Sequence, residues 1–246
     1  MGDFLTLLLF KPSIEYMKFH FLTIFPEMIP SYMNESILKR AGENKLISYD
    51  VKNIREYSKD KHRKTDDRPY GGGPGMVMTA EPILHAYNKL KLSSGTKAKT
   101  KVIMLSPSGK MFTNTVAAKF AKTYTDIVYI CGRYEGVDDR VRKILKADEY
   151  SIGDYTLTGG ELPALIMTDA IARQIPGVLG KGESVEESRT ASPHVYTRPE
   201  VLVWPAKASA TTKPKQYKVP KVLTKGDHKK IEAWRLSEQM GKKEGK

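Results

Sequence analysis

"SIGDYTLTGGELPAL", residues 151–165, is the stretch on which the reading of this chain turns. It sets three glycines and Pro163 between a β-prone run, "DEYSIGDYTL" (148–157), and a strongly apolar run, "ELPALIMTDAIARQI" (161–175). A strand followed by a helix makes the glycines a loop at the strand's carboxyl end. In open α/β sheets that edge is where ligands sit.

Working outward, the same alternation recurs. Strands are expected over "FHFLTIF" (19–25), "LISYDVKNI" (46–54), "KVIMLSP" (101–107) and "DIVYICG" (126–132). Helices are expected over "MIPSYMNESILKRAGEN" (28–44), "EPILHAYNKLKL" (81–92) and "NTVAAKFAKTY" (114–124). Strand and helix in alternation predict an α/β layer with a mostly parallel sheet. Three loops then leave strand ends: "LSPSG" (105–109), "CGRYEG" (131–136) and "IGDYTLTGG" (152–160). They contain turned backbone, Tyr134, Tyr155 and Glu135, but no lysine and neither a P-loop nor a GxGxxG pattern. Such a pocket suits a neutral or cationic nucleoside-like ligand; tight turns alone would equally account for the glycines.

A fourth loop, "KHRKTDDRPYGGGPGM" (61–76), packs four glycines and two prolines into its last eight residues, flanked by basic side chains. That composition excludes a helix or an interior strand and permits close approach by a bulky partner such as an RNA base.

Composition bounds the rest. The 246 residues are 40% hydrophobic and 28% charged, ordinary for a globular protein of one to two domains. No apolar run approaches the roughly 20 residues of a membrane span, so no membrane association is expected. "FLTLLLF" (4–10) is too short, and it has Asp3 where a signal peptide would carry positive charge. Residues 1–16 read as a non-targeting extension, with Met17 an alternative start. The single cysteine, Cys131, excludes an internal disulfide and a cysteine-rich zinc site, and points to a reducing, cytoplasmic compartment. The net charge of +13 draws polyanions, nucleic acid first. From Pro205 to Lys246 there are twelve Lys and Arg against four Asp and Glu, so +8 of that charge lies in the last 42 residues.

The character changes after Gly180. Residues 181–199, including "KGESVEESRTASPHVYTRP", read as a polar linker, "WPAKASATTKPKQYKVPKV" (204–222) as mobile, and a last helix runs from the N-cap Asp227 to Gly241.

Taken together, "FPEM", "DDRPYGGGPGM", "LSPSG", "CGRYEGVDDRV", "SIGDYTLTGGELPAL", "IPGVLG", "YTRPEV" and "GDHKKIEAWR" resemble, in order and nearly in spacing, the bacterial tRNA (guanine-N1-)-methyltransferases of the SPOUT superfamily. The resemblance runs from Met17 to about Met240. It implies a SPOUT domain over 17–180 with helices on both sheet faces and a C-terminal trefoil knot, a linker over 181–199, and a small basic helical tRNA-binding domain over 200–246. The implied activity is methylation of N1 of guanosine 37 in tRNA from S-adenosylmethionine, by a homodimer whose active sites are shared between chains.

Carried onto this sequence, the cofactor site is Leu105, Pro107, Gly132, Tyr134, Glu135, Ile152, Gly153, Tyr155, Leu157, Gly159, Gly160 and Pro163. Tyr70, Gly71, Gly72, Gly73, Pro74 and Gly75, with His194 and Arg198, would face the RNA. Guanine N1 carries a proton, so its attack on a methyl group requires a base, and the charge that develops on O6 requires a donor. The resemblance gives the second role to Arg173, for which an i,i+4 ion pair with Asp169 is the plain structural alternative. It gives the first to a linker aspartate, but here "VEESRT" puts Glu187 at that place, with Glu186 an alternative base. A longer side chain can misplace the carboxylate, so a catalytically impaired RNA-binding relative is the competing reading. The family's Mg²⁺ dependence maps onto no dedicated ligand cluster; a metal is expected only loosely, near carboxylates and substrate. A Lys- and Thr-rich insert precedes "KVPKVL", and Val195 is an extra residue in "PHVYTRP".

Overall fold

The computed structural model describes residues 16–179, 194–205 and 213–241. The chain divides into two units, Met1–Gly182 and Glu183–Lys246.

In the first unit, β1 (Met17–Thr23) leads through a 3-10 turn to the short helices α1 (Pro30–Met33) and α2 (Ser36–Glu43), then to β2 (Ile47–Asn53). The single helix expected over 28–44 is therefore two, interrupted at Asn34 and Glu35. The glycine-rich loop is bracketed by a minimal ladder of β3 (Asp66–Asp67) and β4 (Val77–Met78), followed by α3 (Ala80–Asn88), β5 (Thr100–Met111), α4 (Asn114–Thr123) and β6 (Asp126–Ile130). A helix the sequence reading lacks, α5 (Asp139–Leu145), precedes β7 (Asp148–Ser151) and α6 (Glu161–Ala172). Asp138 caps α5 by accepting from the Arg140 amide at 2.9 Å. Only Val141 of α5 is buried, so its apolar stripe is too narrow to announce a helix.

Five strands form one sheet in the order β2-β1-β6-β5-β7, every pair parallel. Both faces are covered, as parallel sheets require. Phe19 and Phe21 of β1, Ile103 of β5, and Ile127 and Tyr129 of β6 pack with α2, α4 and α6 on one face. The alternate residues Leu22, Val102, Met104, Val128 and Ile130 pack with α3 and α5 on the other. The period of two sorts each strand between two apolar layers.

At the sheet's edge β5 pairs with β7 through Leu105↔Tyr150, then resumes at Lys110↔Tyr150. The "LSPSG" segment therefore does not leave a finished strand; it bulges within one and the strand continues beyond it. A Cβ on Gly109 would stand 2.6 Å from the Tyr150 amide nitrogen, so only glycine lets the two backbones pass this closely. β7 itself stops at Ser151, and residues 152–157, expected as strand, belong to the loop.

In the second unit, β8 (Val201–Trp204) pairs antiparallel with β9 (Lys215–Lys218), followed by α7 (Lys221–Thr224) and α8 (His228–Gly241). Residues 215–218, expected to be mobile, are thus a strand, and a region expected to be helical opens with a hairpin. Alternation is hard to read there because both strands are exposed on both faces.

Candidate functional site

The bulge of β5 and the carboxyl ends of β6 and β7, three adjacent strands, open into a cavity of about 390 Å³. That lies within the size range of small-molecule sites. Of the twelve residues expected to line a cofactor site, eleven border this cavity: Leu105, Pro107, Gly132, Tyr134, Glu135, Ile152, Tyr155, Leu157, Gly159, Gly160 and Pro163. Gly153 does not. It lies behind the Tyr155 ring, where a Cβ would come within 2.2 Å of that ring, and the Ser151 hydroxyl donates to its carbonyl at 2.8 Å.

The loops are locked to one another through backbone. The Gly160 amide donates to the Gly132 carbonyl at 2.9 Å, and a Cβ at 160 would stand 2.7 Å from the Cys131 Cα. Glycine at 160 is a condition for the second and third loops to touch.

A charged cluster that the sequence reading passed over sits behind them. Glu161, fully buried at the first position of α6, accepts from Arg133 Nε at 2.9 Å and from the Thr23 hydroxyl at 2.6 Å. Arg133 also donates to the Thr158 carbonyl at 3.1 Å and lies over the Phe25 ring, 4.5 Å from its centre. One guanidinium thereby joins the end of β1, the 131–136 loop, the 152–160 loop and α6. The signal was present as a lone arginine in "CGRYEG" facing a lone glutamate at the head of an apolar helix. Because Glu161 engages Arg133 and Arg142 Nε lies 3.8 Å from Glu149, the carboxylate of Glu135 is left to set the sign of the cavity wall. That balance, with the apolar side chains of Leu105, Ile152, Leu157 and Pro163, suits a cationic or neutral ligand and disfavours a phosphate.

The glycine-rich loop abuts this site. The Glu135 amide donates to the Met76 carbonyl at 3.0 Å, the Met78 amide to the Gly136 carbonyl at 2.9 Å, and Met78 bridges Val137. Tyr70 at its tip is fully exposed, and Gly71, Gly72, Gly73 and Gly75 all have positive φ.

Arg173 is half-buried just past the end of α6. Asp169, one turn earlier, accepts from the Tyr32 hydroxyl at 2.6 Å. That hydrogen bond, then burial and the carboxylate's charge, push the Tyr32 phenol up to about 12. Glu186 and Glu187 lie outside the described residues. His194 and Arg198 belong to the second unit, where His194 Nε2 is 3.5 Å from Glu238 and Tyr196 stands against Trp234 with ring centres 6.4 Å apart. Among the described residues no group of three or more His, Cys, Asp or Glu is placed to hold a metal ion, and no helix is long and apolar enough to cross a membrane.

Comparison with known proteins bears on what this arrangement is for. The model of the family described as tRNA (Guanine-1)-methyltransferase TrmD matches residues 17–246. This chain belongs to the TrmD family. It is 46% identical over 229 residues to the tRNA (guanine-N(1)-)-methyltransferase of Clostridioides difficile, covering 91% of this chain and 93% of that one. The protein of the same name from Caldicellulosiruptor saccharolyticus is 47% identical over 223 residues, covering 89% of this chain and 84% of the relative. That from Staphylococcus carnosus is 44% identical over 227 residues, covering 91% and 86%. The cavity, the glycine-rich loop and Arg173 all fall inside the span that TrmD membership covers.

Proposed function

We propose that this protein is a cytoplasmic tRNA methyltransferase that modifies N1 of guanosine 37, using S-adenosylmethionine held in the cavity at the bulge of β5 and the ends of β6 and β7. The observation that carries the reading is that cavity: turned backbone from three loops, apolar walls, three tyrosines and the Glu135 carboxylate, in a chain of the TrmD family. A sulfonium nucleoside fits this donor set, because the adenosine finds backbone groups and apolar side chains while the positive charge finds Glu135. Bound there, S-adenosylmethionine would supply an electrophilic methyl carbon, with the sulfonium sulfur as leaving group.

The chain's own residues do the remaining work. Glu187 takes the N1 proton of guanine, which frees the nitrogen lone pair for the new N–C bond. Arg173 donates to O6, where negative charge gathers as the proton leaves. Tyr70, Gly71, Gly72, Gly73, Pro74 and Gly75 admit the base, while His194 and Arg198 hold the RNA backbone. A homodimer with shared active sites is supported by Leu162 and Ile166, one turn apart on α6, which are exposed while the rest of that helix is largely buried. Magnesium, where required, would be held loosely near carboxylates and the substrate.

The test is transfer of a labelled methyl group to a tRNA transcript with G at positions 36 and 37, comparing the natural chain with Glu187→Gln and Arg173→Ala. Both variants are expected to lose at least 100-fold in kcat/KM, the scale of removing a positioned base or a charge-stabilising donor. Full activity in both would overturn the role assignment. Inactivity of the natural chain with intact tRNA binding would favour an RNA-binding relative.

A further inference from the structure

The hairpin of the second unit presents a surface that the proposed methyl transfer leaves unused. Leu202 stands opposite Tyr217 and Trp204 opposite Lys215, so these four side chains share one face. Val201 and Val203 share the other with Lys218 and Gln216. Every one of these residues is exposed, Trp204 at 64% and Tyr217 at 51%. Four consecutive apolar residues open to water on a two-stranded ribbon are a liability unless something covers them, since such a ribbon is marginal by itself and its edges invite pairing.

The surrounding charge says what covers them. Residues 201–205 and 213–226 carry five lysines and no acidic residue, with Glu200 and Asp227 only at their margins. Lys215 Nζ lies 5.6 Å from the centre of the Tyr217 ring, which places a cation beside an exposed π face. Protein interfaces are depleted in lysine, whereas single-stranded nucleic acid is gripped by lysines along its phosphates and aromatic rings under its bases. Duplex phosphates alone would call for the lysines but leave the tryptophan idle. Trp204 and Tyr217 are diagonal neighbours, about 7–8 Å apart along the ribbon, so two successive unpaired bases can be served by one face.

We propose that the β8–β9 hairpin is a stacking platform for unpaired bases of the RNA substrate, with Trp204 and Tyr217 taking the base faces and Lys215, on the same face, the adjoining phosphate. This rests on tRNA being the substrate, and the experiment separates the two.

The chain has two tryptophans, Trp204 and Trp234. In Trp234→Phe, emission reports Trp204 alone. Titration with a tRNA transcript is expected to quench it, with the Kd found by filter binding, while a fully paired RNA duplex that binds through charge leaves emission unchanged. In the otherwise natural chain, Trp204→Ala is expected to weaken tRNA binding on the order of tenfold without changing the salt slope. Lys215→Gln is expected to lower that slope. Unquenched Trp204 at saturating tRNA, or Trp204→Ala binding as tightly as the natural chain, would overturn the platform and leave the tRNA reading standing. Failure of the natural chain to bind tRNA would sink both. Self-association in the absence of RNA that Trp204→Ala abolishes would put a second copy on the hairpin and overturn the proposal as well.

Discussion

Replacing Glu161 by glutamine keeps the shape of the side chain and removes the charge that Arg133 is built around. Glu161 has no exposed surface and Arg133 retains 17%, so the pair is close to a buried one. Removing one partner of a buried pair costs about 3–5 kcal/mol, because the other charge is stranded away from water. Here the arginine keeps its bond to the Thr158 carbonyl, its place over Phe25 and that remnant of solvent. The expected loss is therefore at the lower end, about 3 kcal/mol, or roughly 6–12 °C in Tm for a chain of this size. Arg133→Met should cost a similar amount. The double variant should be more stable than the sum of the two losses by about 1–3 kcal/mol, since neither charge is then stranded. Urea denaturation of the four proteins gives the cycle, and calorimetric titration with S-adenosylmethionine gives a second readout, because Arg133 fixes two loops of the cavity. Strict additivity, or donor affinity unchanged in both single variants, would refute the idea that this pair holds the pocket's walls together.

Three further outcomes are expected. Gly160→Ala should cost about 1–3 kcal/mol, because its Cβ would meet the Cys131 backbone at 2.7 Å, and it should weaken donor binding as the two loops part; a Tm and titration indistinguishable from the natural chain would count against the close approach. Asp126 is disfavoured as a charge by burial, but bonds from His20, Ser93 and Thr125 outweigh this and hold it at about 2. A depressed carboxylate stabilises the fold above its unfolded value near 3.8 and loses that contribution as pH falls through about 2, so urea titrations should show an advantage over Asp126→Asn on the order of 2 kcal/mol at pH 7 that shrinks toward pH 2. Affinity for tRNA should fall steeply with salt, given the +8 charge of the last 42 residues, and a nearly flat dependence by filter binding would contradict an electrostatic grip.

How much of this was legible beforehand depended on the kind of signal. Of the five parallel strands, β1, β5 and β6 announced themselves through short apolar runs that stop at Gly or Pro, whereas β2 and β7 carry charged residues and read as strands through their β-prone neighbours; the three loops followed from where those runs stop. Loop-level detail was less accessible. Leu105 to Lys110 reads as a strand's end because "SPSG" is turn-forming, yet Gly109 lets the strand resume against Tyr150. Ile152 to Leu157 reads as strand because Ile, Tyr and Leu are β-prone, but no neighbour pairs with them in the sheet. The Arg133–Glu161 pair was invisible for another reason: 28 residues separate its members, and only the packing of α6 beneath the second loop brings them together. The hairpin of the second unit was masked by its lysines, which depress β-propensity although they pair regularly in β9.

The passage of β5 around Tyr150 also constrains time. The segment 106–109 must already be curved, or still be loose, when residues 148–151 reach the sheet, because Gly109 leaves no room for a later adjustment of either backbone. Edge strands are usually the easiest to add; this one completes its neighbour from both sides of a bulge, across some forty residues of intervening chain. During synthesis, the ligand cavity therefore has no far wall until the ribosome has delivered β7 and the head of α6. Mutations that stiffen 106–109 would then act on the yield of folded protein before they act on its chemistry, and the two effects separate in refolding rates measured against the activity per folded molecule.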